Sequence, residues 1–263
     1  MMINASVDRC PVSVIMITFN EAERLVATLQ ALQWAQEIIV VDSGSTDGSL
    51  AIAQQWATRV EHRPWSGFGD QKNHALSLAS LPWVLSIDAD ERVTPELAQE
   101  IQAFIGQDGA GHMAAQLPRL SRYCGRDMHH SGWWPDPVCR LFKRGHGRFS
   151  DDLVHEKIIC EGPVWRFKCL LLHDSFQNLN QVLHKLNQYS HEGALNLQRK
   201  GKQSGLGKAI GHGLWAFFRT YVLKRGFLDG REGFILAVSN AEGTYYRYLK
   251  LIYLNESSAA TPK

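Results

Sequence analysis

Apolar residues fall into short unbroken runs in the first half of the chain and into helical spacing in its last third. Val12-Ser13-Val14-Ile15-Met16-Ile17-Thr18-Phe19, behind Pro11, is rich in β-branched residues and predicts a buried first strand. Asn20-Glu21 then opens a pattern with Leu25, Leu29 and Leu32 on one face, which is a helix. A second strand, Glu37 to Val41, runs into Asp42-Ser43-Gly44-Ser45-Thr46-Asp47-Gly48-Ser49, and a helix follows with Leu50, Ala53 and Trp56 inward. Trp83 to Ile87, behind Pro82, predicts a further short buried strand. This β-α-β-α order with short turns predicts an α/β, Rossmann-like, mostly parallel sheet.

From Asn178 to Leu197 the spacing of Leu179, Val182, Leu183, Leu186 and Tyr189 predicts a helix packed on the domain. Arg199 to Gly207 has the glycine and charge content of a flexible linker. Beyond it, Ile210, Leu214, Trp215, Phe217, Phe218, Tyr221, Val222 and Leu223 gather beside Lys208, Arg219, Lys224 and Arg225. The expected organisation is an α/β domain over residues 1–177 and a helical, basic extension over 178–263.

Composition adds a charge asymmetry. The 263 residues are 44% hydrophobic and 21% charged, ordinary for a globular chain with a well-filled core. Residues 1–177 hold 16 Lys+Arg against 21 Asp+Glu, whereas 178–263 hold 12 against 5, so the basic character belongs to the C-terminal third. Five cysteines without a C-x-x-C pair argue against zinc or a disulfide framework and for a reducing compartment. Neither a signal-peptide pattern nor an apolar stretch of about 18 residues is present, so a cytosolic protein is expected.

Ligands of parallel α/β sheets sit beyond the carboxyl ends of the strands, where Thr18 to Glu21, Asp42 to Ser45 and Asp88-Ala89-Asp90 all fall. In extended backbone, residues two apart face the same side, so Asp88 and Asp90 can converge on one ligand, and a divalent cation wants such oxygens. Asp42 fits a binding residue or a helix cap, the latter better filled by Asp47. Lys72, read as preceding an Ala- and Leu-rich helix, fits a diphosphate-binding cation or a solvated surface lysine.

Val14 to Glu21, Val40 to Gly48, Lys72-Asn73 and Asp88-Ala89-Asp90, in that order, resemble the family 2 glycosyltransferases of GT-A (nucleotide-diphospho-sugar transferase) fold. The resemblance implies nucleotide binding by Thr18, Asn20, Glu21, Asp42 and Asp88, phosphate binding by Lys72, and a divalent metal (Mg²⁺ or Mn²⁺) on Asp90. Ser43 departs from the second acid many relatives carry after Asp42. Further stretches, Gly132 to Asp136, Arg140 to Arg144, Val154-His155-Glu156, Leu171 to Ser175 and Gly226 to Gly230, are similar to the small bacterial transferases of lipopolysaccharide inner-core assembly, of the type that adds glucose in β-1,4 linkage to a heptose.

That family inverts at the anomeric carbon, so a carboxylate must take the acceptor hydroxyl proton. Glu156 is the first candidate and Asp152 the second, with Asp151 and Asp136 behind them. His173 fits a late metal ligand or a structural hydrogen-bonding residue, and Trp133, Trp134 and Trp165 fit sugar stacking or core. The implied partners are a nucleotide sugar, UDP-glucose, and a lipopolysaccharide core acceptor. The basic aromatic segment after Gly207 fits peripheral contact with the inner face of the cytoplasmic membrane, making a membrane-associating extension. A nucleic-acid partner is not expected. The rivals are another lipid-linked glycan or polysaccharide as acceptor, and a silent nucleotide-sugar-binding module.

Overall fold

The computed structural model describes residues 9–150 and 157–259. The elements in order are β1 (Cys10–Thr18), α1 (Ala22–Gln30), β2 (Ala35–Asp42), α2 (Ser49–Trp56), β3 (Arg59–His62), α3 (Phe68–Ser77), β4 (Trp83–Ser86), β5 (Glu91–Val93), α4 (Pro95–Gly106), β6 (Ala114–Tyr123) and β7 (Arg126–Asp127). There follow β8 (Pro137–Lys143), β9 (Gly147–Phe149), β10 (Ile158–Cys160), β11 (Val164–Arg166), β12 (Leu171–Phe176), α5 (Leu179–Arg199), α6 (Leu206–Phe218) and α7 (Gly230–Ala259). By contacts the chain divides into one unit of residues 1–119 and 136–173 and a second of 120–135 and 174–263.

In the first unit, β1 pairs in parallel with β2 and β4, as the β-α-β-α reading expects, and β2 pairs in parallel with β3, a strand that the spacing did not predict. The sheet continues through β8, β6, β12 and β5 with antiparallel pairs, so it is mixed. β1 and β2 are buried on both faces, which is why they read as continuous apolar runs. Val14, Leu25, Leu29, Leu85 and Leu97 meet in the main core, each fully buried. Thr94 caps α4 by accepting from Leu97 N–H, with Pro95 at the first helical position. One expectation changes: Lys72 lies inside α3, which already begins at Phe68.

In the second unit, α5 and α6 pack against α7. Asn178 caps α5 through Gln181 N–H. The stretch expected to be a flexible linker is a short connection tied down by Asn255, whose Nδ2 donates to the Lys202 carbonyl and to Gln203 Oε1. On α5 the buried residues are Val182, Ser190 and Ala194, while Leu179, Leu183 and Tyr189 are exposed, so only part of the predicted stripe packs. α6 packs through small residues. Ala209, Gly213 and Ala216 form its buried face, whereas Leu206, Ile210, Leu214, Trp215 and Phe218 face outward and exposed. A Cβ at Gly213 would come within 3.3 Å of the Ala241 carbonyl and Tyr245 Cβ, so small residues are what let α6 lie close on α7. Buried Asp229 accepts from His129 N–H, His130 N–H and Ser131 Oγ, which fastens the turn before Trp133.

Candidate functional site

The carboxyl edge of the parallel strands is built by register. Thr18 pairs with Asp42 at the ends of β1 and β2, and Asp88 to Asp90 follow β4. Thr18 is buried and its Oγ1 has no hydrogen-bond partner among the described residues. Asn20, at φ 53°, joins the first two loops: its N–H donates to Ser45 Oγ and its Oδ1 accepts from Thr46 N–H. Glu21 N–H donates to Ser49 Oγ, and its Oε2 lies 3.2 Å from Arg24.

Asp42 is buried and turned into its own loop. Its Oδ2 accepts from Gly44 and Ser45 N–H at 2.9 Å, and its Oδ1 accepts from Ser45 Oγ. The carboxylate therefore shapes the loop. Asp47 accepts from Ser49 N–H and from Ala22 N–H, the helix-start role expected of it.

Lys72 is not a solvated lysine, since its side chain is 5% exposed and its Nζ lies 2.8 Å from Asp88 Oδ1. Arg140 Nη2 reaches the other oxygen, Oδ2, at 2.5 Å. Antiparallel pairing of Leu85 with Leu141 is what brings Arg140 to the end of β4. Burial by itself pushes the Asp88 carboxyl up, but Arg140 and Lys72 outweigh it and hold the group well below the usual carboxylate range. Burial likewise opposes the Arg140 charge, and Asp88 and Glu91 more than restore it.

Asp90 and His173 come together because β5 and β12 are antiparallel neighbours with His173 opposite Glu91. His173 Nε2 lies 3.4 Å from Asp90 Oδ2, and Arg24 Nη1 stands 3.8 Å away. Burial raises the Asp90 carboxyl less than the His173 hydrogen bond and charge lower it. Among the described residues no three His, Cys, Asp or Glu side chains gather around one point. One carboxylate and one imidazole still fit Mg²⁺ or Mn²⁺, ions that often bind through few protein ligands plus substrate phosphates and water.

Asp136 is engaged by Arg119 through Nε and Nη2, both at 2.8 Å. Asp151, Asp152 and Glu156, the other candidate bases, lie outside the described residues. Trp133 packs with Tyr123 and Phe176, and Trp165 stacks on Phe104. Sequence reasoning missed Arg24, Glu91, Arg119 and Arg140. Glu91 directly follows Asp88-Ala89-Asp90 and Arg140 heads the stretch Arg140 to Arg144, so adjacency was the available signal.

The model of the family described as Glycosyl transferase family 2 matches residues 13–162. The lipopolysaccharide core biosynthesis glycosyltransferase LpsC of Rhizobium meliloti is 32% identical over 97% of each chain. An uncharacterized glycosyltransferase of Rickettsia conorii is 31% identical over 94% of this chain and 90% of its own. Among solved structures, TarS of S. aureus is similar over 94% of this chain and 91% of its own, at 14% identity and a TM-score of 0.43. With an α/β sheet whose carboxyl edge carries the acidic turn, and with the family's match spanning more than half its length, the chain belongs to glycosyl transferase family 2.

Proposed function

We propose that the chain is a metal-dependent inverting hexosyltransferase that moves glucose from UDP-glucose to a heptose of the lipopolysaccharide inner core. The observation that carries this reading is the pairing of Asp90 with His173 beside an Asp88 held by Lys72, at the sheet edge where α/β proteins bind nucleotides. The name of LpsC supports the acceptor class. In this reading Thr18, Asn20, Glu21 and Asp42 serve the base and ribose side, Asp88 the ribose, and Lys72 the diphosphate. Asp90 and His173 would hold Mg²⁺ or Mn²⁺. A bound cation supplies positive charge against the charge growing on the departing diphosphate. Glu156, or failing it Asp152, takes the acceptor hydroxyl proton, a contribution of about 10²–10⁴ in rate.

The same reading makes the chain peripheral on the cytoplasmic membrane face. No described helix is long and apolar enough to cross a membrane. The outward face of α6 is apolar, and residues 193–228 contain Lys and Arg but no Asp or Glu, which suits an anionic lipid surface.

The test is calorimetric titration of UDP with Mn²⁺, then with chelator, using Asp90→Ala as control. Binding that needs the metal and disappears in the variant is expected. Unchanged binding by folded Asp90→Ala would refute the metal assignment, and absence of binding in the wild type would refute the donor. Purified core oligosaccharide against other glycan acceptors then separates the acceptor classes.

A further inference from the structure

Glu91 is fully buried at the start of β5. Its N–H donates to the Asp88 carbonyl at 2.9 Å, and its Oε2 accepts from Asp88 N–H at 3.1 Å, so the turn from Asp88 to Glu91 is closed from both sides. Its Oε1 takes Arg140 Nη2 at 2.5 Å and Arg119 Nη1 at 3.2 Å. Arg140 uses the same Nη2 on Asp88, and Arg119 also holds Asp136. One carboxylate thus gathers two guanidiniums, each of which grips a second acid. The side chain of Arg140 is 10% exposed, and its Nε is buried without a partner among the described residues.

Burying such a group is expensive. Well-packed apolar residues of the same volume often give equal or better stability, so stability alone does not account for it. The network does have a geometric product: it determines which way the Asp88 carboxylate points and where the next residues of the turn leave it. Asp88 Oδ2 is fixed by Arg140, Oδ1 by Lys72 and the backbone N–H by Glu91. Asp90, two residues on, then falls beside His173, because Glu91 itself is the β5 residue opposite His173.

We propose that Glu91 and Arg140 are a positioning pair for the donor site, holding the Asp88–Asp90 turn in the arrangement that receives a nucleoside diphosphate. The pair rests on the donor reading above, and neither member touches the reacting atoms. A lysine at 140 keeps the charge, but its ammonium ends one bond short of the Nη2 that bridges Asp88 and Glu91. A glutamine at 91 keeps the shape but no longer draws both arginines.

The experiment is titration of UDP with Mn²⁺ into wild type, Glu91→Gln, Arg140→Lys and the double variant, reporting stoichiometry and Kd separately. The expected result is near-native stoichiometry with Kd weakened about 10- to 100-fold in each single variant, the range usual for outer-shell partners of metal sites. The double variant should be no weaker than the worse single, because both act through one turn. A merely structural role would lower the stoichiometry and leave Kd of the folded fraction unchanged, which would overturn the proposal. Losses that multiply in the double variant would overturn it too. Wild type that binds no UDP would remove the donor reading and this proposal together, whereas wild-type binding with unaffected variants removes this one alone. Should Glu91→Gln fail to fold, Arg140→Lys carries the same test.

Discussion

Replacing Asp229 by alanine removes one carboxylate that three donors share, with the partly exposed His130 Nδ1 a further partner at 3.3 Å. Ser131 Oγ donates to it at 2.7 Å, His130 N–H at 3.1 Å and His129 N–H at 3.1 Å. Asp229 and Ser131 are buried, whereas His129 is exposed enough for water to take over its N–H. Two donors are then stranded, each at a cost of about 1–3 kcal/mol, so a loss of about 4 kcal/mol is expected. At about 2–4 °C per kcal/mol for a chain of this size, Tm should fall by roughly 8–16 °C. Asp229→Asn keeps one acceptor oxygen but turns an amide donor toward the turn, so about half that loss is expected. Urea unfolding followed by far-UV circular dichroism gives the difference directly, with unchanged slope showing that the unfolded state is unaltered. A loss below about 1 kcal/mol in Asp229→Ala would show that the turn finds other acceptors, and the clasp would then be incidental.

Glu37 accepts from Ser80 N–H and Ser80 Oγ at 2.9 Å and from Ser13 Oγ. Burial pushes its carboxyl up, but the Ser13 and Ser80 donors outweigh this and hold it below 4.5. The ionised form is therefore favoured by folding, and its stabilisation is present at neutral pH and lost as pH falls from 4.5 through the folded value. Tm measured from about pH 6 to pH 3 should fall more in wild type than in Glu37→Gln, and parallel curves would refute the linkage. Gly233→Ala places a Cβ 1.9 Å from the Gly226 carbonyl oxygen and should cost about 3 kcal/mol or more, seen as loss of soluble protein or a large drop in urea midpoint. Leu214→Glu with Phe218→Glu changes two exposed residues, so stability should move by no more than about 0.5 kcal/mol per site while sedimentation with anionic vesicles is lost.

In the parallel half of the sheet β1, β2 and β4 were legible because they are buried strands that announce themselves as unbroken apolar runs, whereas the half-exposed β3 was not read. β1 and β2 extend only a residue or two beyond the runs read from Val12 and Glu37. The ligand edge was legible for the same reason, since Asp42 and Asp88 follow those runs directly. Lys72 was misplaced because Gly67 and Gly69 look like loop residues, although the helix begins between them at Phe68 and Gly69 is buried within it. Periodicity found α5 but only part of its inward face, because spacing shows that an apolar face exists without showing what it meets. Leu183 and Leu214 are outward, and alanine and glycine make the contact instead. The pairings that bring Arg140 to Asp88 and His173 to Asp90 were least legible. Arg140 arrives through the antiparallel β4–β8 pair and His173 through β5–β12, pairings between distant segments that no local pattern encodes.

The β5–β12 pair has a consequence for when this site can exist. His173 follows Asp90 by about 80 residues in the chain, and the strand that carries it can dock only after all of them have been made. At about 5–20 residues per second, synthesis of that stretch takes roughly 4–16 s. During that interval β1, β2, β3 and β4 can already be paired, since none of their residues lies beyond Ser86. The nascent chain therefore passes through a period in which the acidic turn has been synthesised and its histidine has not yet emerged. Long-range closure of this kind is also slow after release, because the loop entropy must be overcome before the contact forms. Refolding from denaturant should accordingly regain sheet signal before it regains the Asp90–His173 contact.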